Sequence, residues 1–445
     1  MAVGGLTPTV SVVGGSLSKK ERWTGLVLVT TLFFLWGFAY GLLDVLNKHF
    51  QNVFGITKLE STGLQVAYFG SYFCFPPLVG GPVIRRWGYK VGIMMGLSLY
   101  VAGALLFWPA AHFGSFGGFV GATFVMACGL SELETAANPY ISVLGDPKTA
   151  SFRLNFSQSF NGVGSFVGPL IASHAFFSGS NSSNLNSVQF VYLGIAIAVA
   201  VIAIAFSFIR VPEISDDLML EQAVASGDAQ IAARPLHKQW HTIFGFAAQF
   251  IYVASQVTLA SFFLNYVTSV NTNISDSLGS NLLSVALAVF TVGRFVSTGL
   301  MRYFKPRYIL VAWAFMATLL CGLTIGVGGL SGVILLIAIF FFESCMYPTI
   351  FTLAIRDLGP NTKKGSSLLI MGVGGGAAFP PIQGAIADAI GTQKSQLVPL
   401  IGYCFVFIYA LFLAEPFGKQ KVYRGNDTES VEEIKAKQIV TIEVN

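Results

Sequence analysis

Apolar residues in this chain come in blocks of about 20, the length a helix needs to cross the hydrocarbon core of a bilayer. The blocks cover 24–46, 61–84, 91–111, 116–143, 154–177, 188–209, 242–267, 278–300, 308–328, 331–355, 365–389 and 397–415, numbered here as spans 1 to 12. In lipid each block must satisfy its own backbone hydrogen bonds, which selects helices. Membrane strands would alternate in polarity over about ten residues, and no such pattern is present. Only 11% of the residues are charged and 54% are hydrophobic. A soluble domain of this length needs about a quarter of its residues charged. The expected fold class is therefore an all-α membrane protein with a lipid bilayer as its surroundings.

Lys and Arg set the orientation. One set of loops holds Arg85, Arg86, Lys90, Lys148, Arg153, Arg210, Arg302, Lys305, Arg307, Arg356, Lys363 and Lys364, whereas the alternate set holds only Lys48, Lys58 and Lys394. The basic loops belong on the cytoplasmic side, and an even number of spans then places both termini there. The net charge of +5 follows from this topology and does not point to nucleic acid. Acceptor triplets for N-glycosylation at Asn181 and Asn273 fall in outer loops. Cys74, Cys128, Cys321, Cys345 and Cys404 all lie inside apolar blocks and are expected as single thiols. The first block is of full length, so no cleavable leader is expected.

The polar stretch after span 6 divides the chain into six plus six. The expected organisation is a cytoplasmic tail over 1–23, a six-helix bundle over 24–209, a linker over 210–241, a second bundle over 242–415 and a cytoplasmic tail over 416–445. The halves repeat each other. Span 4 reads LETAANPYISVLGDPKT and span 10 reads FESCMYPTIFTLAIRDLGPNT, with Glu134 and Glu343 each five residues before a proline. NGVGSFVGPLI (161–171) echoes MGVGGGAAFPPI (371–382), and GGPVIRRWGYK (80–90) echoes TGLMRYFKPR (298–307). Parallel six-helix halves around a central site are the layout of the major facilitator transporters.

Charge inside the bilayer is costly and is normally paired, hydrated or functional. The candidates are Asp44, Glu132, Glu134, Arg294 and Glu343; Asp388 and Glu415 lie close enough to span ends to reach water. Glu132 and Glu134 are about 200° apart around a helix, so only one of them faces a given cavity. Glu134, one turn from Asn138 and ahead of Pro139, is the one expected to do so, with Glu132 against a neighbouring helix. Gln249, Tyr252 and Gln256 form one polar stripe on span 7, and Gln158 and Asn161 lie one turn apart on span 5. Amides and a phenol suit a polyhydroxylated solute, since they donate and accept without adding charge. The same groups also serve as hydrogen bonds between helices.

At these residues the sequence resembles the fucose permease family, the fucose:proton symporters of the major facilitators. The resemblance runs through FFLWGFAYGLLD (33–44), LETAANP (133–139), FRLNFSQSFN (152–161), QFIYVASQ (249–256), GRF (293–295) and YPTIFTLAIRDLG (347–359). It implies a major facilitator fold of twelve helices in two pseudo-symmetric halves, and proton-coupled uptake of a neutral monosaccharide. It also implies that Asp44 and Glu134 serve proton coupling and that Asn161 binds sugar. The cavity is lined differently from that of the well-known fucose carrier, with Tyr40, Gly41 and Leu43 ahead of the aspartate where that carrier has asparagines.

The expected mechanism is alternating access, with Asp44 in the proton relay and Glu134 coupling proton to sugar. Asn138, Gln158, Asn161, Gln249, Tyr252 and Gln256 would hold the sugar. Arg294 and Glu343 are expected to form a structural ion pair. No cofactor is expected beyond the proton as coupling ion, no metal, and no partner chain for a monomer in the plasma membrane. A proton-independent facilitator, an amphiphile exporter and a non-transporting nutrient sensor are the competing readings. An enzyme is not expected, since the five histidines are scattered and no nucleophile lies beside a base.

Overall fold

The computed structural model describes residues 19–56, 60, 63–144, 147–177, 185–208, 219, 220, 232 and 234–415. The expected linker lies mostly outside these residues, as do Asn181 and both tails. Within them the chain is helical, and the helices follow the apolar blocks closely. Span 1 is Lys19–Phe54, span 4 Phe116–Val143, span 5 Ala150–Phe177 and span 6 Asn186–Phe208. Span 8 is Asp276–Leu300 and span 9 Pro306–Gly326. Spans 7, 10, 11 and 12 are broken or change pitch. Span 7 joins Trp240–Ser261 to Phe263–Val270, and span 10 joins Gly329–Glu343 to Met346–Ala354. Span 11 passes from Thr362–Met371 through a tight 3₁₀ stretch, Gly372–Ala377, into Phe379–Ile390. Span 12 is Leu397–Ile408 and ends in a wider π turn, Tyr409–Leu413.

Among the described residues nine helical stretches are long and apolar enough to cross a membrane. Three features reconcile that figure with twelve spans. The 50-residue stretch Gly63–His112 holds both spans 2 and 3. In a continuous helix, residues 84 and 92 would lie about 12 Å apart along the axis. Here a Cβ added to Gly92 would come within 2.7 Å of Ile84 Cγ1. The chain reverses at Gly88, whose φ of 87° only glycine adopts without strain. Span 1 is counted apart, as the shorter apolar stretch Leu26–Leu42 among the described residues. Span 5 carries buried Ser151, Asn155, Gln158 and Asn161, which lower its hydropathy.

Span 5 is fixed against span 1 almost backbone to backbone. A Cβ at Gly37 would meet the Asn161 carbonyl oxygen at 1.9 Å, and one at Gly164 would meet that of Phe34 at 2.2 Å. Contact this close between small residues is how membrane helices gain packing energy when lipid supplies no hydrophobic drive. It also fixes the height of Asn161 in the membrane.

Candidate substrate and proton site

Glu134 and Asn138 lie one turn apart on span 4, so they share a face. Asn138 Nδ2 donates to Glu134 Oε1 at 3.2 Å. The same oxygen accepts from the hydroxyl of Tyr347, which arrives from span 10 in the other half. Asn138 Nδ2 also reaches Tyr347 Oη at 3.5 Å. Glu134 is only 2% exposed, and its Oε2 has no hydrogen-bond partner; neither does Asn138 Oδ1. Aromatic rings close the site on the span 1 and span 2 side. The Trp36 ring lies 6.3 Å from that of Tyr347, and its Nε1 donates to Tyr68 Oη at 3.1 Å. A carboxylate held by one amide and one phenol, with an oxygen to spare, can accept a further hydroxyl or a proton.

Arg294 is the cation of the seam. Its Nη1 donates to the Gln158 carbonyl, to Asn161 Oδ1 at 2.9 Å and more weakly to Gln158 Oε1 at 3.4 Å. Its Nε donates to the Ser344 carbonyl at 3.1 Å, and the Phe290 ring lies 4.6 Å from the guanidinium carbon. One side chain thus binds span 8 to span 10 within its own half and to span 5 across the seam. The planar fork of arginine, with five donors, suits such a junction, and lysine could not serve all these acceptors at once.

The expected ion pair between Arg294 and Glu343 is not formed. Glu343 Oε2 accepts from the Tyr403 hydroxyl of span 12, while its carbonyl accepts from Tyr252 at 2.8 Å. The reason lies in the interruption of span 10 at Ser344 and Cys345, between its two helices. Glu343 ends the first helix and Tyr347 lies in the second, so the two do not share one helical face as Glu134 and Asn138 do. The sequence repeat is real at the proline, but the carboxylates do not occupy equivalent places.

The structure therefore forms two clusters at the seam, Glu134 with Asn138 and Tyr347, and Arg294 with Gln158 and Asn161. Tyr252 is fully buried and commits its hydroxyl to the Glu343 carbonyl inside the second half. Gln249, beside Gly372 of span 11, is equally buried, and both of its side-chain polar atoms lack partners. Gln158 Nε2 also lacks one. Gln256 is half-buried. Asp44 lies on the span 1 helix, but its side chain is outside the described residues. Glu132, as expected, turns away from the site, toward spans 2 and 3. Tyr347 and Trp36 are the residues that sequence reasoning missed. Tyr347 carried a signal, since it stands in the repeat position of Asn138, directly before the proline.

Further contacts across the seam gather at one end. Ser151 bonds Thr352 at 2.7 Å, Asn155 Nδ2 donates to Thr349 Oγ1 at 3.3 Å, and Ser367 Oγ donates to the Pro76 carbonyl at 2.6 Å. Arg302 stands over the Phe152 ring, and Lys363 over that of Tyr89. These lie in the parts of spans 8, 10 and 11 nearest the loops rich in Lys and Arg. At that basic end the halves are closed on each other.

Residues 28–374 match the family model described as Major Facilitator Superfamily. The chain is 35% identical over 399 residues to a glucose/galactose transporter of Brucella abortus, covering 88% of this chain and 95% of that one. It is 33% identical over 410 residues to the L-fucose-proton symporter of Escherichia coli K12, covering 87% and 92%. A crystal structure of the E. coli fucose transporter in the outward conformation superposes with a TM-score of 0.76 at 32% identity, covering 88% of this chain and 98% of that one. The chain belongs to the fucose permease family of the major facilitators. A proton:xylose symporter structure at 12% identity, TM-score 0.68, shares the fold. As a member of this family the protein is a membrane transporter and not an enzyme, and the fold is the expected one of twelve spans in two pseudo-symmetric halves. Among the described residues no group of three or more His, Cys, Asp or Glu side chains could hold a metal ion.

Proposed function

We propose that the protein is a proton-coupled symporter of a neutral monosaccharide that works by alternating access. The carrying observation is that one carboxylate, Glu134, has an oxygen shared by Asn138 of its own half and Tyr347 of the other. Sugar and proton acting on Glu134 therefore act on the contact between halves. When Glu134 is ionised it accepts the Tyr347 hydroxyl, or a sugar hydroxyl in its place. Proton uptake cancels a charge that would otherwise be buried, which lowers the cost of rearranging the seam. A ligand that changes an equilibrium must bind the two states differently, and Glu134 provides that difference because one of its partners lies in each half.

Orphaned amide atoms on Gln158 and Gln249, the open carbonyl oxygen of Asn138 and the Asn161 side chain supply donors and acceptors for hydroxyl groups. Gln256 adds an amide further along span 7. Trp36 and the tyrosines offer flat apolar faces, which suit the C–H face of a sugar ring. Relatives named for glucose, galactose and fucose fit this chemistry. Asp44, farther along span 1 than Gly37, is assigned to the proton relay. The bundles are assigned to 24–209 and 242–415, joined by a cytoplasmic linker. Both termini are placed in the cytoplasm, so the closed basic end faces inward, and the plasma membrane is the assigned location of a monomer.

Purified protein in proteoliposomes tests this reading. An imposed inward proton gradient should drive labelled hexose to accumulate above equilibrium. Entry that stops at equal concentrations, at every gradient, would replace symport by facilitated diffusion.

A further inference from the structure

On the other side of span 4, away from the sugar site, lies a second buried carboxylate that the coupling scheme does not use. Glu132 is 0% exposed, and neither of its oxygens has a hydrogen-bond partner. It is clasped between two glycines at the ends of spans 2 and 3. A Cβ on Gly80 would lie 2.0 Å from Glu132 Oε2, and one on Gly92 would lie 2.9 Å from Oε1.

The segment that covers this carboxylate is also the segment that closes the basic end. Pro76–Gly80 is a single π turn, in which the Gly81 N–H reaches back to the Pro76 carbonyl. That same carbonyl accepts the hydroxyl of Ser367 from span 11 at 2.6 Å. A Cβ on Gly81 would meet Ser367 Oγ at 2.6 Å. Gly80 thus presses on Glu132 while its neighbour Gly81 presses on the opposite half. Parting spans 2 and 11 removes the contact that holds the π turn over the carboxylate.

Among the described residues no cation forms an ion pair with Glu132. Around it, Arg86 lies on the Trp87 ring, Lys90 donates to the Ser207 carbonyl at 2.9 Å, and Lys363 stands over Tyr89. Arg153 is bonded to the carbonyls of Ile141 and Ser142. Arg85 and Lys364 are exposed, and among the described residues neither forms an ion pair. The other titratable groups on the neighbouring lengths of spans 2, 3 and 4 are Cys74, Tyr89, Cys128 and Tyr140, together with Glu134 two residues on. An ionised carboxylate buried without a partner costs far more than a neutral carboxyl in the same place.

We propose that Glu132 is a proton-operated latch for the basic end. Spans 2 and 11 close over it only when the carboxyl is neutral, and when they part it releases its proton to the water on that side. The proton moves between a carboxyl oxygen and that water, and never crosses the membrane through Glu132. An alkaline compartment on the basic side therefore holds the transporter open toward it, and an acidic one lets it close. The latch rests on the alternating-access reading but is distinct from the coupling step at Glu134.

Spin labels on Trp87→Cys and Lys364→Cys, in a full-length chain whose five native cysteines are replaced by alanine, read the distance across this end. Raising the pH from about 6 to about 9, a range that spans most perturbed carboxyl groups, should increase the separated population about threefold or more. Glu132→Gln, which keeps the shape and cannot ionise, should stay closed at both pH values. Equal responses in the two proteins, or none in either, would overturn the latch. Gly80→Ala gives a second test that does not depend on titration. The added methyl collides with the carboxylate and should favour the separated state, and Glu132→Ala in the same chain should restore closure. Absence of that rescue would also overturn it. The distances are read without sugar, so a chain that responds to pH yet carries no sugar would leave the latch standing and sink the transport reading instead.

Discussion

The hydroxyl of Tyr347 on span 10 donates to Oε1 of Glu134 on span 4, so the two halves of the transporter meet at a carboxylate. A hydrogen bond to an ionised acceptor is worth about 1.5–3 kcal/mol, twice or more what a neutral one gives. Its strength therefore depends on whether Glu134 carries a proton. That dependence is what a coupling residue needs.

Removing the phenol tests the contact without emptying the site. Tyr347→Phe should keep the fold, because the ring still packs against Trp36. Losing a bond of about 1.5–3 kcal/mol should shift the balance away from the closed basic end by about tenfold or more. Label distances across that end, measured in the variant and the parent, check this.

Glu134→Gln removes the proton acceptor but keeps an oxygen for Asn138 and Tyr347. Counterflow of labelled sugar down its gradient should persist at a reduced rate, while accumulation driven by a proton gradient should be lost. Parallel uptake assays with and without the gradient separate the two.

Arg294 has a structural and a positioning role at once. Arg294→Lys retains the charge but cannot reach Ser344, Asn161 and Gln158 together. Each lost bond to a buried cation is worth about 1.5–3 kcal/mol, so a fall of several degrees in the melting temperature is expected. Sugar affinity should fall with it, because Asn161 is no longer held. Thermal unfolding and binding of a labelled hexose give the two readings.

Glu343→Gln should be nearly silent. The amide oxygen still accepts from Tyr403, and no ion pair with Arg294 is lost. A stability change within about 1 kcal/mol is expected, in line with one neutral hydrogen bond replacing a charged one. Loss of both stability and transport, measured by unfolding and uptake, would revive the ion pair.

Much of the architecture was legible in the sequence because lipid imposes a simple rule. Each apolar block had to be a helix, and the blocks at 116–143 and 278–300 matched the observed helices to within two residues. Less legible was where helices break. Span 10 is interrupted at Ser344 and Cys345 with no glycine or proline at the break itself, and that interruption is what parts Glu343 from the place its repeat partner holds. For the proposed site, helical spacing puts Glu134 with Asn138 and Gln158 with Asn161 on shared faces, since residues one turn apart share a face. Tyr347 escaped notice because its role depends on contact between spans separated by two hundred residues, which periodicity cannot report. The partner of Tyr252 is hidden for the same reason. The spacing gives its stripe, but only packing shows that its hydroxyl already donates to the Glu343 carbonyl.

The most direct measurement is made with a pH electrode in a suspension of de-energised cells expressing this chain, adding a panel of neutral sugars one at a time. The account predicts that at least one hexose makes the medium more alkaline as proton and sugar enter together, and that Glu134→Gln and Asp44→Asn abolish the signal. Sugar entry without alkalinisation, or an unchanged signal in Glu134→Gln, would contradict it.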